Sequence, residues 1–344
     1  MTDVVIVGGG LAGLALAGML QRAGRSYTLL EGRDRFGGRI LTAPPGIDLG
    51  PAWIWPGQPR VAARLSDLGL ATFPQHDTGD SLHEDASGQV RRGRGPGGMA
   101  GSLRVDGGLG ALTAGLVRGL RAENLVSGQR VTFLRRTGRG ILVGTDGGHT
   151  VEARRVVLAV PPRLVPGLAF TPPLPQAALR ALADVPTWMA GHAKAVAVYD
   201  RAFWRTAGLS GDALSRRGPL VELHDASGPD GGAPHAIFGF LGIPPGHRRD
   251  ERHLRDAVLA QLQRLFGPEA AQPVALHLRD WAFDPLTATP RDHVPPASHP
   301  TYGPLPETLW EGDVILGGTE VAAGFGGFVE GALEAAEAAF ARVT

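Results

Sequence analysis

Two features of this 344-residue sequence combine residue types and spacing suited to chemistry. The first is Gly8-x-Gly10-x-x-Gly13, with Leu11 and Ala12 between the last two glycines. Glycines at these positions permit a tight turn, close approach of backbone to a pyrophosphate, and close packing of a helix on a strand. An apolar run at 4–7 precedes the turn, and a helical pattern over 14–23 follows it, stopped by Gly24. The helix N-terminus would present free N–H groups and a partial positive charge to phosphates. A second strand over 27–30 ends at Glu31, an acid placed to accept from ribose hydroxyls. Taken alone, this unit is a dinucleotide site that admits NAD or FAD.

The second feature is Lys194, the only lysine among 34 basic side chains. Asparagine is also nearly absent, so a compositional bias has removed these residue types. A guanidinium is bulky, planar and always charged, whereas a buried ammonium can lose its proton and reorient. That difference gives a physical reason for one lysine to survive.

These groups must be positioned by two kinds of element. Unbroken apolar runs at 4–7, 156–160 and 314–316 predict strands of a parallel sheet buried on both faces. Strands over 129–134, 141–145 and 150–152 predict a small meander, and helices are expected near 60–68, 109–120 and 327–342. Between about 184 and 293 the texture changes. Strands at 193–199, 220–224, 235–241 and 273–281 read as antiparallel, with an amphipathic helix over 252–266. Residues 76–103 are polar and glycine-rich, without clear periodicity. The reading is an α/β protein in which a discontinuous Rossmann-like domain (1–75, 104–183 and 294–344) carries a parallel sheet, helices and the meander. An inserted, reduced α+β substrate domain (76–103 and 184–293) completes it.

Composition narrows the function further. The net charge is +1, and the densest basic cluster, Arg91-Arg92-Gly93-Arg94, is too short for a nucleic-acid tail. With no cysteine there can be no disulfide, thiolate metal site or cysteinyl-flavin bond. No apolar run reaches the roughly 20 residues needed to span a bilayer, and no secretory signal is visible. A cytoplasmic protein without membrane or nucleic-acid partners is expected.

A second glycine turn with arginine, soon after the ribose acid, is unnecessary in a plain NAD site. The run Glu31-Gly32-Arg33-Asp34-Arg35-Phe36-Gly37-Gly38-Arg39 resembles the Glu-x-x-x-x-x-Gly-Gly-Arg motif of the FAD-binding superfamily that includes the flavin-containing amine oxidases. The resemblance continues in order along nearly the whole chain. Asp48-Leu49-Gly50-Pro51-Ala52-Trp53 is similar to the segment passing beside the flavin ring. Val105-Asp106-Gly107-Gly108 resembles the family's glycine pair before a helix, and Val131 falls where the family contacts adenine through its backbone. Gly317-Gly318-Thr319-Glu320 resembles the stretch at the ribityl chain. Gly327-Phe328-Val329-Glu330-Gly331-Ala332 resembles the last motif, whose helix N-terminus faces the flavin's pyrimidine end.

The resemblance implies a non-covalently bound FAD, with Arg39 and Glu320 near its pyrophosphate or ribityl side. It also implies a strand lysine, Lys194, reaching flavin N5 through a water, with Phe203-Trp204 shortly after it. Trp281 resembles a tryptophan near the flavin, although a plain core tryptophan would fit the sequence as well. Trp55, Trp281 and Phe328 are the expected substrate-pocket residues.

Two departures from the family stand out. Phe328 occupies one place of the aromatic cage, and no aromatic stands in the other, Thr287-Ala288-Thr289-Pro290-Arg291-Asp292. The family's long helical segment is replaced by a short stretch between Asp77 and Arg104, so the site should be open or covered by a second copy in a homodimer. His192, Arg291, Asp292 and His293 are further polar candidates. Few acids are placed to hold a polycation, so a hydrophobic amine is preferred. The implied activity is oxidation of an amine C–N bond by hydride transfer to FAD, with O2 or another carrier as acceptor. The alternatives are a desaturase or porphyrinogen-type oxidase, which generally lacks the strand lysine, and a non-catalytic flavoprotein partner.

Overall fold

The structure is a computed structural model that describes residues 1–94, 98–303, 305–306 and 308–344. A nine-stranded sheet forms the nucleotide side. Its parallel half runs Val314–Leu316, Thr150–Leu158, Thr2–Val7, Tyr27–Leu30 and Leu125–Val126. The two strands expected at 150–152 and 156–160 are one, Thr150–Leu158. Its first half pairs antiparallel with Ile141–Thr145 and its second half pairs parallel with Thr2–Val7. One long strand therefore joins the meander to the parallel sheet.

Successive strand residues face opposite sides of a sheet. Val4 and Ile6 pack with the helices Leu11–Arg22, Gly110–Arg118 and Val329–Val343. Val5 and Val7 pack with Leu134, Val143 and other residues of the meander side. Both faces are covered, which is why the strand has no polar alternation.

A second, seven-stranded sheet runs Ala275–Asp280, Ala193–Tyr199, His235–Leu241, Leu220–Asp225, Leu209–Ser215, Asp80–Glu84 and Val90–Gly93. Ala193, Ala195, Ala197 and Tyr199 pack against the helix Glu251–Phe266. Val196 and Val198 turn the other way, onto Ile47 and Leu49. The polar stretch 76–103 thus contains a hairpin at the sheet edge, and Leu209–Ser215 is a strand that periodicity does not reveal. Both segments carry polar residues such as Glu84, Ser210 and Asp212 at buried positions, where local bonds satisfy them. A helix, Gln176–Asp184, was also not evident from the sequence. Among the described residues no helix is long and apolar enough to cross a membrane.

Candidate active site

A cavity of about 1120 Å³ runs between the two sheets. Gly8, Gly10, Leu11, Ala12, Glu31, Gly32, Arg33, Gly38, Arg39 and Val131 line one end of it. Pro51, Ala52, Trp53, Trp55, Lys194, Trp281, Gly318, Gly327, Phe328 and Val329 also line it. Gly13 and Glu320 are absent from the wall; each supports a residue or turn that forms it.

The glycine turns show how backbone forms the wall. A Cβ on Gly13 would stand 2.0 Å from the Gly8 carbonyl oxygen, so the helix can approach the turn only without a side chain there. A Cβ on Gly10 would meet only the Gly38 Cα, at 3.8 Å. Gly37 N–H donates to the Gly9 carbonyl at 2.8 Å, stitching the two turns together. Arg35 fixes the second turn, donating to the carbonyls of Phe36, Gly38 and Ile40. Gly10 caps the helix Leu11–Arg22 with no side-chain bond, and no acid stands in the first turn. Its N–H groups are free to receive a phosphate.

Glu31 is buried, accepting from Gly9 N–H at 2.7 Å and from Arg33 N–H at 2.8 Å. Its oxygens retain lone pairs for a ribose. Arg33 is drawn to Asp284 and Thr287, both at 2.8 Å. Arg39 lies 2.8 Å from the fully buried Glu320. Arg39 compensates its charge, and beyond that ion pair neither Glu320 oxygen has a hydrogen-bond partner among the described residues. A cavity walled by glycine backbone, with an uncapped helix end, a buried acid that keeps acceptor capacity and an Arg39–Glu320 ion pair beside it, fits the polar parts of a dinucleotide.

The other end is built by the strand Ala193–Tyr199 against residues 47–53. Lys194 is 4% exposed and donates to the carbonyls of Asp48 at 3.2 Å and Gly50 at 2.8 Å. The Trp281 indole N–H donates to the intervening Leu49 carbonyl at 3.0 Å. Three consecutive carbonyls are thus held by the second sheet. Lys194 Nζ also lies 4.4 Å from the Phe238 ring centroid. Burial lowers its pKa from the usual 10.5 to about 8, against the pull of Asp48. Burial likewise raises the Asp48 carboxyl above its ordinary value, although it accepts from Thr42 and Leu109 N–H.

Phe328 is 40% exposed and stacks on His299, with ring centroids 4.5 Å apart and planes 7° apart. Trp188 meets His299 edge-on at 5.0 Å. A histidine, from a loop without periodicity, therefore faces Phe328. Asp292 holds Arg163 at 2.6 Å and caps Thr289; Arg291 is exposed on Asp184; His293 bonds the Ala282 carbonyl. His192 lines the cavity, and burial, reinforced by nearby Arg248, lowers its pKa and favours the neutral ring.

Two more acids take places that the sequence does not reveal. Glu330 is fully buried and accepts from Arg60 and Val61 N–H, capping the helix Pro59–Asp67 from another helix. Glu222 stands on the cavity wall.

The sequence pattern of the flavin containing amine oxidoreductases matches residues 11–97 and 87–344. The chain belongs to this family. It is 28% identical to a putative flavin-containing monoamine oxidase, AofH, of Mycobacterium tuberculosis, over 99% of this chain and 96% of that protein. It is 24% identical to amine oxidase B of Sus scrofa, over 98% of this chain and 85% of the relative. In fold it matches a redesigned putrescine oxidase with a TM-score of 0.83, at 22% identity over 99% of this chain and 98% of the other. A cyclohexylamine oxidase from Brevibacterium oxydans gives 0.81, at 20% identity over the same shares.

As a flavin-containing amine oxidoreductase, the chain uses FAD, takes a small-molecule amine and requires an electron acceptor. It is also a short member: the alignment with AofH runs over 450 positions, against 344 residues here. The two matched segments meet at 87–97, inside the polar stretch between Asp77 and Arg104.

Proposed function

We propose that this oxidoreductase oxidises an amine at the carbon beside nitrogen, releasing an imine that hydrolyses, and that O2 regenerates the cofactor with formation of H2O2. FAD, when bound, supplies the hydride acceptor at its ring. In this reading residues 1–75, 104–183 and 294–344 hold the cofactor without a covalent bond, and 76–103 and 184–293 shape the amine side. Gly8, Gly10, Leu11, Ala12 and Gly13 receive the pyrophosphate, Glu31 the ribose, and Val131 the adenine. Arg39 offsets phosphate charge, backed by Glu320.

The observation that carries the reading is Lys194 on the cavity wall. An ammonium has three donors, and two are spent on Asp48 and Gly50. In this reading the third is the one turned to the cavity that Lys194 lines. With a pKa of about 8, Nζ can give up or take a proton near neutral pH. Trp53, Phe240 and Trp281 make this end apolar, which favours the neutral amine that hydride loss requires. Phe328 offers a ring face at the cavity wall.

The test is an anaerobic screen of the holoenzyme against a broad amine panel, with flavin absorbance as readout, followed by admission of O2 and peroxide assay. Bleaching by at least one amine and peroxide on reoxidation are expected. Failure of every amine to bleach the flavin would favour a non-catalytic flavoprotein.

A further inference from the structure

Three ionisable side chains, Asp48, Arg104 and Lys194, are buried together in the interior beside the cavity. Among the described residues, both cations spend their hydrogen bonds on neutral carbonyls. Lys194 donates to the main chain of Asp48 and Gly50, and Arg104 to the Ser227 carbonyl at 2.6 Å. Burying a charge is expensive unless an opposite charge accompanies it. Asp48 supplies that opposite charge. Its carboxylate hangs from the same residue whose carbonyl Nζ touches, and its field acts on both cations.

The hydrogen bonds around Asp48 are those of an ionised carboxylate. Leu109 N–H donates to both of its oxygens, at 3.0 and 3.2 Å. Thr42 Oγ1 accepts from Gly110 N–H at 2.8 Å, which leaves its hydroxyl proton to donate to Asp48. These N–H groups open the nine-residue helix Gly110–Arg118, whose positive end favours a negative charge. Burial pushes the carboxyl up, while Thr42, Lys194, Arg104 and Leu109 N–H all oppose the rise.

Other charged groups around Lys194 have partners of their own. Arg279, opposite Lys194 on the strand Ala275–Asp280, bonds Asp284. Glu222, beyond Phe240 on the next strand, bonds His224, which also bonds Asp212. Asp225, the second acid acting on Arg104, is held by two bonds from Arg205, at 2.8 and 2.9 Å. Burial and Arg248 favour the neutral ring of His192.

We propose that the Asp48 carboxylate is the counter-charge that keeps Lys194 an ammonium in the interior, and that Arg104 competes with Lys194 for it. Asp48 is a positioning residue, acting on the reaction only through Nζ. Only the kinetic consequence rests on the amine-oxidising function proposed above.

The chain has one lysine, so lysine carbon-labelled at Cε gives a single NMR resonance that reports the Nζ proton. Titration of the wild-type holoenzyme should give a pKa of about 8. Asp48→Asn keeps an acceptor for Leu109 N–H and Thr42 but loses the charge. It should lower the value by about one pH unit or more, the scale of losing a nearby opposite charge. Arg104→Met removes a like charge and should raise it. Loosening of the interior would instead carry both variants up towards 10.5, the value of a solvated lysine. An unchanged or raised value in Asp48→Asn overturns the proposal. If Asp48→Asn yields no folded protein, an unchanged or lowered value in Arg104→Met overturns it. The rate of flavin reoxidation by O2 should break at the same pH as the resonance and move down with it in Asp48→Asn. A resonance that moves while the kinetic break stays supports the counter-charge and removes Lys194 from the proposed reaction, so the two failures are distinguishable.

Discussion

Lys194 donates to the carbonyl of Gly50 at 2.8 Å across 144 residues of sequence. The bond ties the second sheet to segment 47–53, which walls the apolar end of the cavity. Replacing Lys194 therefore has two separable consequences. Lys194→Met should retain FAD but slow reoxidation of the reduced flavin by O2, by about 10²-fold if Nζ acts in proton transfer. Stopped-flow mixing of the reduced enzyme with O2 checks this, and an unchanged rate would remove the lysine from the mechanism.

The same residue predicts a pH dependence of stability. Its pKa falls from 10.5 to about 8 on burial. Below pH 8 both folded and unfolded chains hold the proton, so the penalty for the buried charge is fully present. Between about 8 and 10.5 the unfolded chain binds more protons, and stability contributed by this group rises with pH. Urea unfolding across that window should show wild type gaining on Lys194→Met. A constant difference between the two would mean that the ammonium is not shifted.

Gly10 and Gly13 should fail in different ways. A Cβ on Gly13 would collide with the Gly8 carbonyl, whereas one on Gly10 meets only the Gly38 Cα. Gly13→Ala should lower the stability of the apoprotein by about 1–3 kcal/mol, the usual cost of overpacking. Gly10→Ala should leave that stability nearly unchanged and weaken FAD binding by about tenfold or more, because the added methyl group enters the pyrophosphate path. Thermal melts without FAD, beside FAD titrations, distinguish the two.

Arg39 faces a fully buried Glu320. Removing the cation leaves that carboxylate uncompensated, a change that costs about 3–5 kcal/mol at buried pairs. Arg39→Met should therefore lower the melting temperature, and adding Glu320→Gln should recover part of the loss. FAD affinity should stay weak in the double variant. No recovery in the melt would show that the pair does not act as a unit.

What the sequence determined by itself was the nucleotide end. Gly8 to Gly13, Glu31 and Gly37 to Arg39 lie within about one βαβ unit, so their spacing already encodes the turn, helix and acid. Buried strands such as Thr2–Val7 and Ala193–Tyr199 were legible because both their faces are covered, leaving unbroken apolar or small-residue runs. Lys194 stood out by composition alone.

Only the tertiary structure decided what surrounds it. Asp212, Glu222 and His224 sit on two strands, and alternation there is blurred because polar residues are buried on satisfied bonds. His299 reaches Phe328 from an irregular loop, and Glu330 caps a helix 269 residues earlier in the chain. Such groups are defined by who faces whom across a sheet or between elements. Strand pairing and loop packing fix that relation, and no local period records it.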